Sequence, residues 1–544
     1  MLAEGFRKNF WFLSLAKGVG ALLGAFVFMF LASWLGAGVA TDAFFLVRRF
    51  ATGLTSSIVR ASNLLLVPSL VAALVATEAG RPTLGPVRTM VVVSLAGWLS
   101  ATAMATWSEP LVRLLAPGFP DETVGLAAHL LRIMAFLVPL TIMASIAASH
   151  MNAARRFALA EYAGQLPRIA LLTTVLLLPV AGVDALAWAM LTGSAAYLAV
   201  LLPPVLSMLR ERARRGAALA AEGDSPPADT GPGIGRRLSV VGLTQVEVQG
   251  VAWIDAAFAS LIGIGAVSML EYAQRLVGLL PSLLSTSLIS IAYTEMSYAA
   301  AHADRDLFRR STTRIMRANL FLILPVAVAA TVGADLLVEI FLHHGRFSAE
   351  AAAQTTRIVH LTMPYLTINS INAAAIAALV ADASAEARRI LLTAIVVMLG
   401  ARLVIFLSVV GPFGLAGIVL GSGAALALGS FVMFTQLSRH CGGLLDRSDR
   451  RALVVMLLAA GLAALAMQGA RMLVGQSWEG PWAGDLASLA LCGAAAGVVY
   501  LGVCGLAGLS EVDLIAARLR RRVKRQASAS IPPRAETDTV PPPR

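Results

Sequence analysis

The strongest constraint on this chain is a series of long apolar segments that each carry few charges. Inside hydrocarbon every backbone polar group must be hydrogen-bonded, so a chain crosses a bilayer only as helices or as a closed barrel. Barrel strands alternate apolar and polar residues over about ten positions, and these segments show no such alternation. The pattern therefore predicts an all-α polytopic membrane protein with about fourteen transmembrane helices. The predicted spans lie near residues 10–34, 43–76, 87–107, 124–150, 158–181, 184–208, 238–262, 265–298, 315–336, 351–380, 388–410, 413–437, 452–474 and 483–507.

The composition supports lipid as the main solvent of the chain. Charged residues make up 14% of its 544 residues, against about 25% in soluble domains. The net charge of +12 fits a membrane protein whose Lys and Arg residues gather in cytoplasmic loops and near anionic lipids. We therefore expect contact with membrane lipids and no nucleic-acid binding. The cysteines Cys441, Cys492 and Cys504 suit neither a metal site nor a disulfide framework.

Basic residues mark alternate loops, as the positive-inside rule requires when no span is missed. The basic loops follow the even-numbered predicted spans, whereas the intervening loops are acidic or nearly neutral. This pattern predicts a multi-pass membrane protein with an even number of spans and both termini in the cytoplasm. The first apolar run reaches Trp34 and is too long for a signal peptide, whose apolar region has roughly 7–15 residues. We expect it to be retained as a membrane helix.

The stretch between the sixth and seventh predicted spans divides the chain. It is rich in Ala, Gly, Pro and acidic residues, which is typical of a flexible linker. We see no convincing sequence repeat between the two halves. The predicted segments are an N-terminal six-helix lobe (1–208), a basic and flexible cytoplasmic linker (209–237), a second six-helix lobe (238–440), two additional C-terminal transmembrane helices (452–507) and a basic, Pro-rich disordered tail (508–544).

Charges within the apolar runs are the sharpest functional signal. An ionised side chain at mid-bilayer costs at least about 2.5–3.5 kcal/mol unless it faces a partner, a cavity or water. The first span contains Lys17, and the eighth places Glu271 and Arg275 at i,i+4. The second span carries a polar stripe at three- and four-residue steps, bordered by Arg48. The members of the stripe are Arg49, Thr52, Gly53, Ser56, Arg60 and Asn63. This excess of cations predicts binding of an anion such as a phosphate.

Each of these features also has a structural interpretation. Lys17 would snorkel to the interface, the stripe would form a polar seam between helices, and Glu271 would neutralise Arg275. In a further interpretation, Asp255 and Glu247 on the seventh span would join Glu271 in binding a coupling ion. Arg168 and Arg402 are expected to snorkel, because they fall near the ends of predicted spans.

No catalytic arrangement stands out in the sequence. The chain lacks the P-loop pattern GxxxxGK[ST], the HExxH motif and any Cys/His cluster with metal-ligand spacing. We therefore expect a transporter and not an enzyme, with neither a cofactor nor a metal.

Five stretches resemble, in collinear order, the MviN/MurJ lipid II flippase family of the multidrug/oligosaccharidyl-lipid/polysaccharide exporter superfamily. They are WLGAGVATDAFFLVRRF (34–50), LLAPGF (114–119), MNAARRFAL (151–159), LEYAQRLVGLLPSLLSTSLISIAYTEMS (270–297) and FLHHGRFSAE (341–350). The resemblance implies two lobes around a central cationic cavity that opens alternately to each side of the membrane. Asp42 then matches the family's periplasmic aspartate, and Arg275 its cavity arginine.

The chain also departs from the family pattern. The paired arginines of the family's first helix are not reproduced, since Lys17 is the only cation there, and the family arginine further along helix two falls near Thr55. The displaced cations keep the cationic character but change its placement. The resemblance therefore supports a lipid-linked saccharide as the substrate more strongly than it supports lipid II in particular.

The resemblance implies a flippase that moves a polyprenyl-diphosphate-linked saccharide from the inner to the outer leaflet of the bacterial cytoplasmic (inner) membrane. The leading candidate for this substrate is the peptidoglycan precursor lipid II. The residues expected to bind the substrate are Lys17, Arg48, Arg49, Arg60 and Arg275, and those with a candidate conformational or coupling role are Asp42, Asp255 and Glu271. Three alternatives stay open. The chain would export an exopolysaccharide or other lipid-linked oligosaccharide precursor, act as a non-transporting scaffold for cell-envelope synthesis proteins, or export small molecules by ion coupling.

Overall fold

The computed structural model describes residues 20, 22–78, 85–154, 156–178, 182–219, 234–302, 304–474 and 483–512. These residues are helical, with short connections, and contain no strand. The first half comprises α1 (Leu22–Leu35), α2 (Val39–Glu78), α3 (Gly85–Thr106), α4 (Ser108–Leu115), α5 (Asp121–Met134), α6 (Leu137–Ala153), α7 (Phe157–Ala163), α8 (Leu166–Leu177) and α9 (Gly182–Leu219). The second half comprises α10 (Ile234–Ser260), α11 (Ala266–Ala301), α12 (Arg305–Val332), α13 (Ala334–Phe341), α14 (Ala349–Asp382), α15 (Ala385–His440), α16 (Arg447–Val474) and α17 (Ala483–Leu506).

The predicted all-helical membrane fold is confirmed. Seven helical segments of the described residues are long and apolar enough to cross a membrane, with α5 and α6 together forming one of them, or eight when the bent pair α3 and α4 forms one span. The count of about fourteen spans stays a prediction. Helices α9 and α10 extend into the segment predicted as a linker, while residues 220–233 lie outside the described part of the chain, as does Lys17.

Helix α15 shows how two predicted spans can appear as one long helix. At 56 residues it would be about 84 Å long if straight, far more than a bilayer of about 30 Å. The helix bends at Gly414, which has a φ of 55° just after Pro412. Its two halves then fold back on each other, with Gly421 against the ring of Phe406. The predicted spans 388–410 and 413–437 are therefore the two arms of this hairpin.

The two halves of the chain repeat one arrangement of helices. A helix, a short connection and a long helix come first (α1 and α2, then α10 and α11), followed in each half by a span and an eight-residue helix (α3 and α4, then α12 and α13). No convincing repeat is evident from the sequence alone. A trace survives at the short connections, where residues 32–38 read ASWLGAG and residues 259–265 read ASLIGIG. Helical packing depends on the apolar pattern more than on identity, so the repeat is clear only in the structure.

The largest hydrophobic core joins the two lobes at one end of the bundle. We call this end the sealed face: it is the end at which α1 meets α2 and α10 meets α11. Helix α2 packs against α10 and α11 of the other lobe. The aromatic rings of Phe45 and Tyr272, which occupy equivalent positions in the two repeats, meet edge to face at 5.0 Å. Separate cores lie within the second lobe and between α12, α16 and α17.

Candidate functional site

A cluster of three arginines around one glutamate joins the two lobes. We call it the arginine cluster: Arg48 and Arg49 from α2, and Glu271 and Arg275 from α11. Glu271 Oε1 lies 2.8 Å from Arg48 Nη2 and 3.1 Å from Arg275 Nε, and its Oε2 lies 3.1 Å from Arg49 Nη2. The predicted contact between Glu271 and Arg275 is therefore present, but Glu271 also binds two arginines of the other lobe. Three guanidinium groups on one carboxylate leave a surplus of two positive charges.

The side chains of the arginine cluster differ in their solvent exposure. The side chains of Glu271, Arg48 and Arg49 are 5%, 11% and 17% exposed, whereas that of Arg275 is 51% exposed. The ring of Phe28 on α1 lies under two guanidinium groups, with Arg48 Cζ at 4.8 Å and Arg275 Cζ at 4.9 Å from its centroid. Cation–π contacts of this kind hold the charges in place without neutralising them. An anion therefore reaches the cluster from the side of Arg275.

Arg49 is anchored to the second lobe by further contacts. Its Nη1 donates to the Ala252 carbonyl of α10 at 3.3 Å, and its Nη2 donates to the Gln274 side chain. Gln274 was not expected in the site, because an uncharged residue gives no signal in a search for membrane charges. The Arg49 side chain thus ties α2 to both α10 and α11.

The next turns of the α2 stripe form a seam with α10. Gly53 packs directly against the side chain of Gln249, and Ser57 Oγ lies 3.4 Å from Gln245 Oε1. This part of the stripe matches the structural interpretation of a polar seam. Arg60, about 16 Å further along the helix axis than Arg49, has an exposed side chain. One part of the stripe therefore forms a contact between the lobes, and the part at Arg60 is exposed.

Asp42 caps a helix of the opposite lobe. Its carboxylate accepts hydrogen bonds from the backbone N–H of Gly265 at 2.6 Å and of Ser268 at 2.7 Å, and from the Ser268 hydroxyl. These groups belong to the first turn of α11, whose free N–H groups and positive dipole end favour a carboxylate. Asp42 is 1% exposed, so the cap lies inside the sealed face and links α2 to α11.

Two loops close the sealed face in equivalent ways. The loop after α4 reaches the end of α10, where the Gly118 N–H donates to Ser260 Oγ at 3.1 Å. The loop after α13 reaches the end of α1, where the Arg346 N–H donates to the Ser33 carbonyl at 2.7 Å. In both places a glycine, Gly118 or Gly345, lies so close to the serine carbonyl that a Cβ would overlap it. Each lobe therefore holds the other by one loop.

Replacing Gly118 by alanine tests this closure. The added Cβ would meet the Ser260 carbonyl and lie 2.5 Å from Leu261 Cα, so we expect a loss of about 1–3 kcal/mol in the free energy of unfolding. The measurement is unfolding of the purified protein in detergent. Gly125→Ala is the matched control, since nothing lies within 4 Å of its Cβ position. Equal stability of the two variants would show that the contact at Gly118 does not contribute to the free energy of unfolding.

A second buried ion pair lies within the second lobe. Arg402 on α15 and Asp255 on α10 have side chains 2% and 4% exposed, and Arg402 Nε lies 2.8 Å from Asp255 Oδ1. Arg402 also donates to the Ser422 hydroxyl. The expectation that Arg402 snorkels is wrong, because it lies in the interior beside a carboxylate contributed by a helix distant in sequence. Asp255 is thereby engaged in an ion pair.

The remaining candidates are not brought to the arginine cluster. Glu247 lies with Asn372 and Ser430 in a small cavity of the second lobe. Within the described ranges, no group of three or more His, Cys, Asp or Glu side chains is arranged to hold a metal ion. The geometry at the cluster instead offers positive charge, hydrogen-bond donors and an exposed approach, which is chemistry for binding an anion.

The comparisons with known proteins point in one direction. A family model described as lipid II flippase MurJ matches residues 31–488. The chain is 22% identical over 263 residues to the probable lipid II flippase MurJ of Bdellovibrio bacteriovorus, and 26% identical over 271 residues to the lipid II flippase MurJ of Burkholderia cenocepacia. These matches cover 48% and 47% of this chain and 49% of each relative. The chain thus spans about half the length of the curated relatives that it matches.

Solved structures share the fold. A lipid II flippase MurJ in an inward closed conformation is similar with a TM-score of 0.69 and 17% identity, over 91% of this chain and 98% of that one. An inward-facing multidrug transporter of the MATE family is similar with a TM-score of 0.60 and 12% identity, over 78% of this chain and 94% of that one. The family model covers most of the chain, and the two-lobed fold agrees with it. The chain belongs to the lipid II flippase MurJ family.

Proposed function

We propose that this protein flips a polyprenyl-diphosphate-linked saccharide, first of all lipid II, from the inner to the outer leaflet of the bacterial cytoplasmic membrane by alternating access. The observation that carries the proposal is the arginine cluster, whose surplus of two positive charges lies where the two lobes meet. A diphosphate is the part of such a substrate that this chemistry recognises, because guanidinium groups bind phosphate oxygens in pairs.

The cluster also supplies a way to couple binding to movement. Glu271 holds Arg48 and Arg49 of the opposite lobe through its two carboxylate oxygens. A diphosphate arriving beside Arg275 competes with Glu271 for these guanidinium groups. When the diphosphate replaces Glu271 as the partner of Arg48 and Arg49, the ion pairs between α2 and α11 are lost. The two lobes are then held together less strongly. Substrate binding then favours separation of the lobes, as a ligand must when it shifts a two-state equilibrium.

The sealed face is proposed to be the periplasmic one. Its short helices and loops carry acidic side chains, among them Glu109, Asp121 and Asp335, two of which pair with Arg113. The loops at the opposite ends of the helices carry the arginines that the positive-inside rule assigns to the cytoplasm. In this orientation the arginine cluster accepts substrate from the inner leaflet, and both termini are cytoplasmic.

The test is complementation of a bacterial strain depleted of its own lipid II flippase. We expect growth to be restored together with lipid II that is accessible at the outer leaflet. An inserted, well-expressed protein that restores neither would contradict lipid II as the substrate. Loss of a surface polymer in a deletion strain that grows normally would instead assign the protein to another lipid-linked saccharide.

A further inference from the structure

Arg168, in the first turn of α8, lies beside Gly20, two residues before the start of α1. The side chain of Gln165 accepts a hydrogen bond from Arg168 Nη1 and is itself buried, with 7% exposure. A Cβ built on Gly20 of the first helix would lie 2.9 Å from Gln165 Cδ and 3.0 Å from Arg168 Nη1. The guanidinium group therefore lies beside the first helix. Arg168 itself is exposed, and the expectation that it snorkels towards the membrane interface stays a prediction.

The first helix links Arg168 to the arginine cluster. Gly20, Gly24 and Phe28 follow one another at four-residue steps on neighbouring positions of one face. Arg168 lies at Gly20, nothing lies within 4 Å of a Cβ at Gly24, and Arg275 lies over Phe28. Gly20 and Phe28 are about 12 Å apart along the helix axis. An open place thus separates an arginine of the first lobe from an arginine of the second.

The charges around this open place are unbalanced. Arg168 and Arg275 repel each other, and Glu161 on α7 attracts Arg168 at longer range. Within the described ranges, no carboxylate lies within 4.0 Å of the Arg168 guanidinium. Glu271, the nearest acid on the other side, already serves three arginines. Two like charges that act on each other, one from each lobe, favour an anion between them.

We infer that Arg168 is a further substrate-binding residue, which grips one phosphate of the diphosphate while Arg275 grips the other. The inference rests on the proposed function and deepens it by assigning one phosphate to each lobe. A diphosphate offers a separate phosphate to each guanidinium group, whereas a monophosphate offers a single phosphate to both. The site therefore selects a lipid diphosphate over a lipid monophosphate, including the phosphate of an ordinary phospholipid headgroup.

The experiment measures binding of a polyprenyl diphosphate and of the corresponding polyprenyl monophosphate to the purified protein in nanodiscs. We expect Arg168→Ala to weaken diphosphate binding about tenfold or more, with little change for the monophosphate. Arg168→Lys keeps the charge but loses the paired hydrogen bonds, so it should recover part of the affinity. Arg113→Ala, which removes an exposed arginine elsewhere in the same lobe, is the matched control and should bind as the wild type does.

The outcomes separate the two proposals. Unchanged diphosphate binding by both Arg168 variants, with the wild type preferring the diphosphate, would overturn the role of Arg168 and leave the flippase proposal standing. An equal loss for both lipids would show a general phosphate contact, which also overturns the inference. A wild type that does not prefer the diphosphate would contradict the proposed function and the inference together. Thermal unfolding of each variant verifies that it is folded.

Discussion

Replacing Asp255 by alanine is expected to lower the free energy of unfolding by about 3–5 kcal/mol, because it leaves the Arg402 guanidinium as an unpaired charge in the protein interior. The pair is almost wholly buried and joins α10 to α15. Arg402→Ala should cost a similar amount by stranding the carboxylate. The measurement is thermal or denaturant unfolding of the purified protein in detergent. Asp446→Ala, which breaks an exposed pair with Arg309, is the control and should cost no more than about 1 kcal/mol.

The double variant Asp255→Leu with Arg402→Met shows what the pair contributes. Two apolar side chains of similar size often replace a buried ion pair without loss of stability. We therefore expect the double variant to recover most of what either alanine variant loses. Such recovery would mean that the pair specifies packing and adds little net stability. Wild-type stability of both single variants would contradict the assignment of these residues to the interior.

Charge reversal at Arg275 is expected to reduce transport to the level of cells without the protein. Arg275→Glu places a second carboxylate one turn from Glu271, and the arginine cluster changes from a surplus of two positive charges to none. An anionic diphosphate then has no net attraction to the site. Because Arg275 is 51% exposed, the variant should still insert and accumulate in the membrane. The measurement is outer-leaflet lipid II in the complemented strain, beside the amount of protein in the membrane.

Arg49→Glu should have the same effect by a second route, since it also breaks the contacts of Arg49 with Ala252 and Gln274 of the second lobe. Arg275→Lys keeps the charge and should retain part of the activity. Arg113→Glu reverses an exposed charge far from the cluster in sequence and should transport normally. Normal transport by both Arg275→Glu and Arg49→Glu would sink the proposal that the cluster binds the substrate.

Much of this architecture follows from local sequence. The apolar runs predicted helices because hydrocarbon leaves a continuous chain few other ways to satisfy its backbone. The i,i+4 spacing of Glu271 and Arg275 predicted their contact, since residues four apart share a helix face. Arg48 and Arg49 were singled out because charges are costly in lipid. In each case the physical cause acts over one or two helical turns.

Other features depended on which helices meet. The partner of Arg402 is 147 positions away in the chain, and the Gly265 N–H that donates to Asp42 is 223 positions away. Nothing in the pattern around Arg402 distinguishes a buried residue from one that snorkels, because both sit in apolar sequence. The hairpin of α15 and the position of Arg168 beside the first helix likewise arise from packing between distant segments.

The sequence by itself thus determined that the chain is a helical membrane protein with an excess of cations in its apolar segments. Only the tertiary structure decided that Glu271 of one lobe holds Arg48 and Arg49 of the other, and that paired loops at Gly118 and Gly345 close one face. The physical reason is that helix formation and the cost of charge in lipid are local properties of a segment. The partner of a given helix face is set by how all the helices bury their surfaces together.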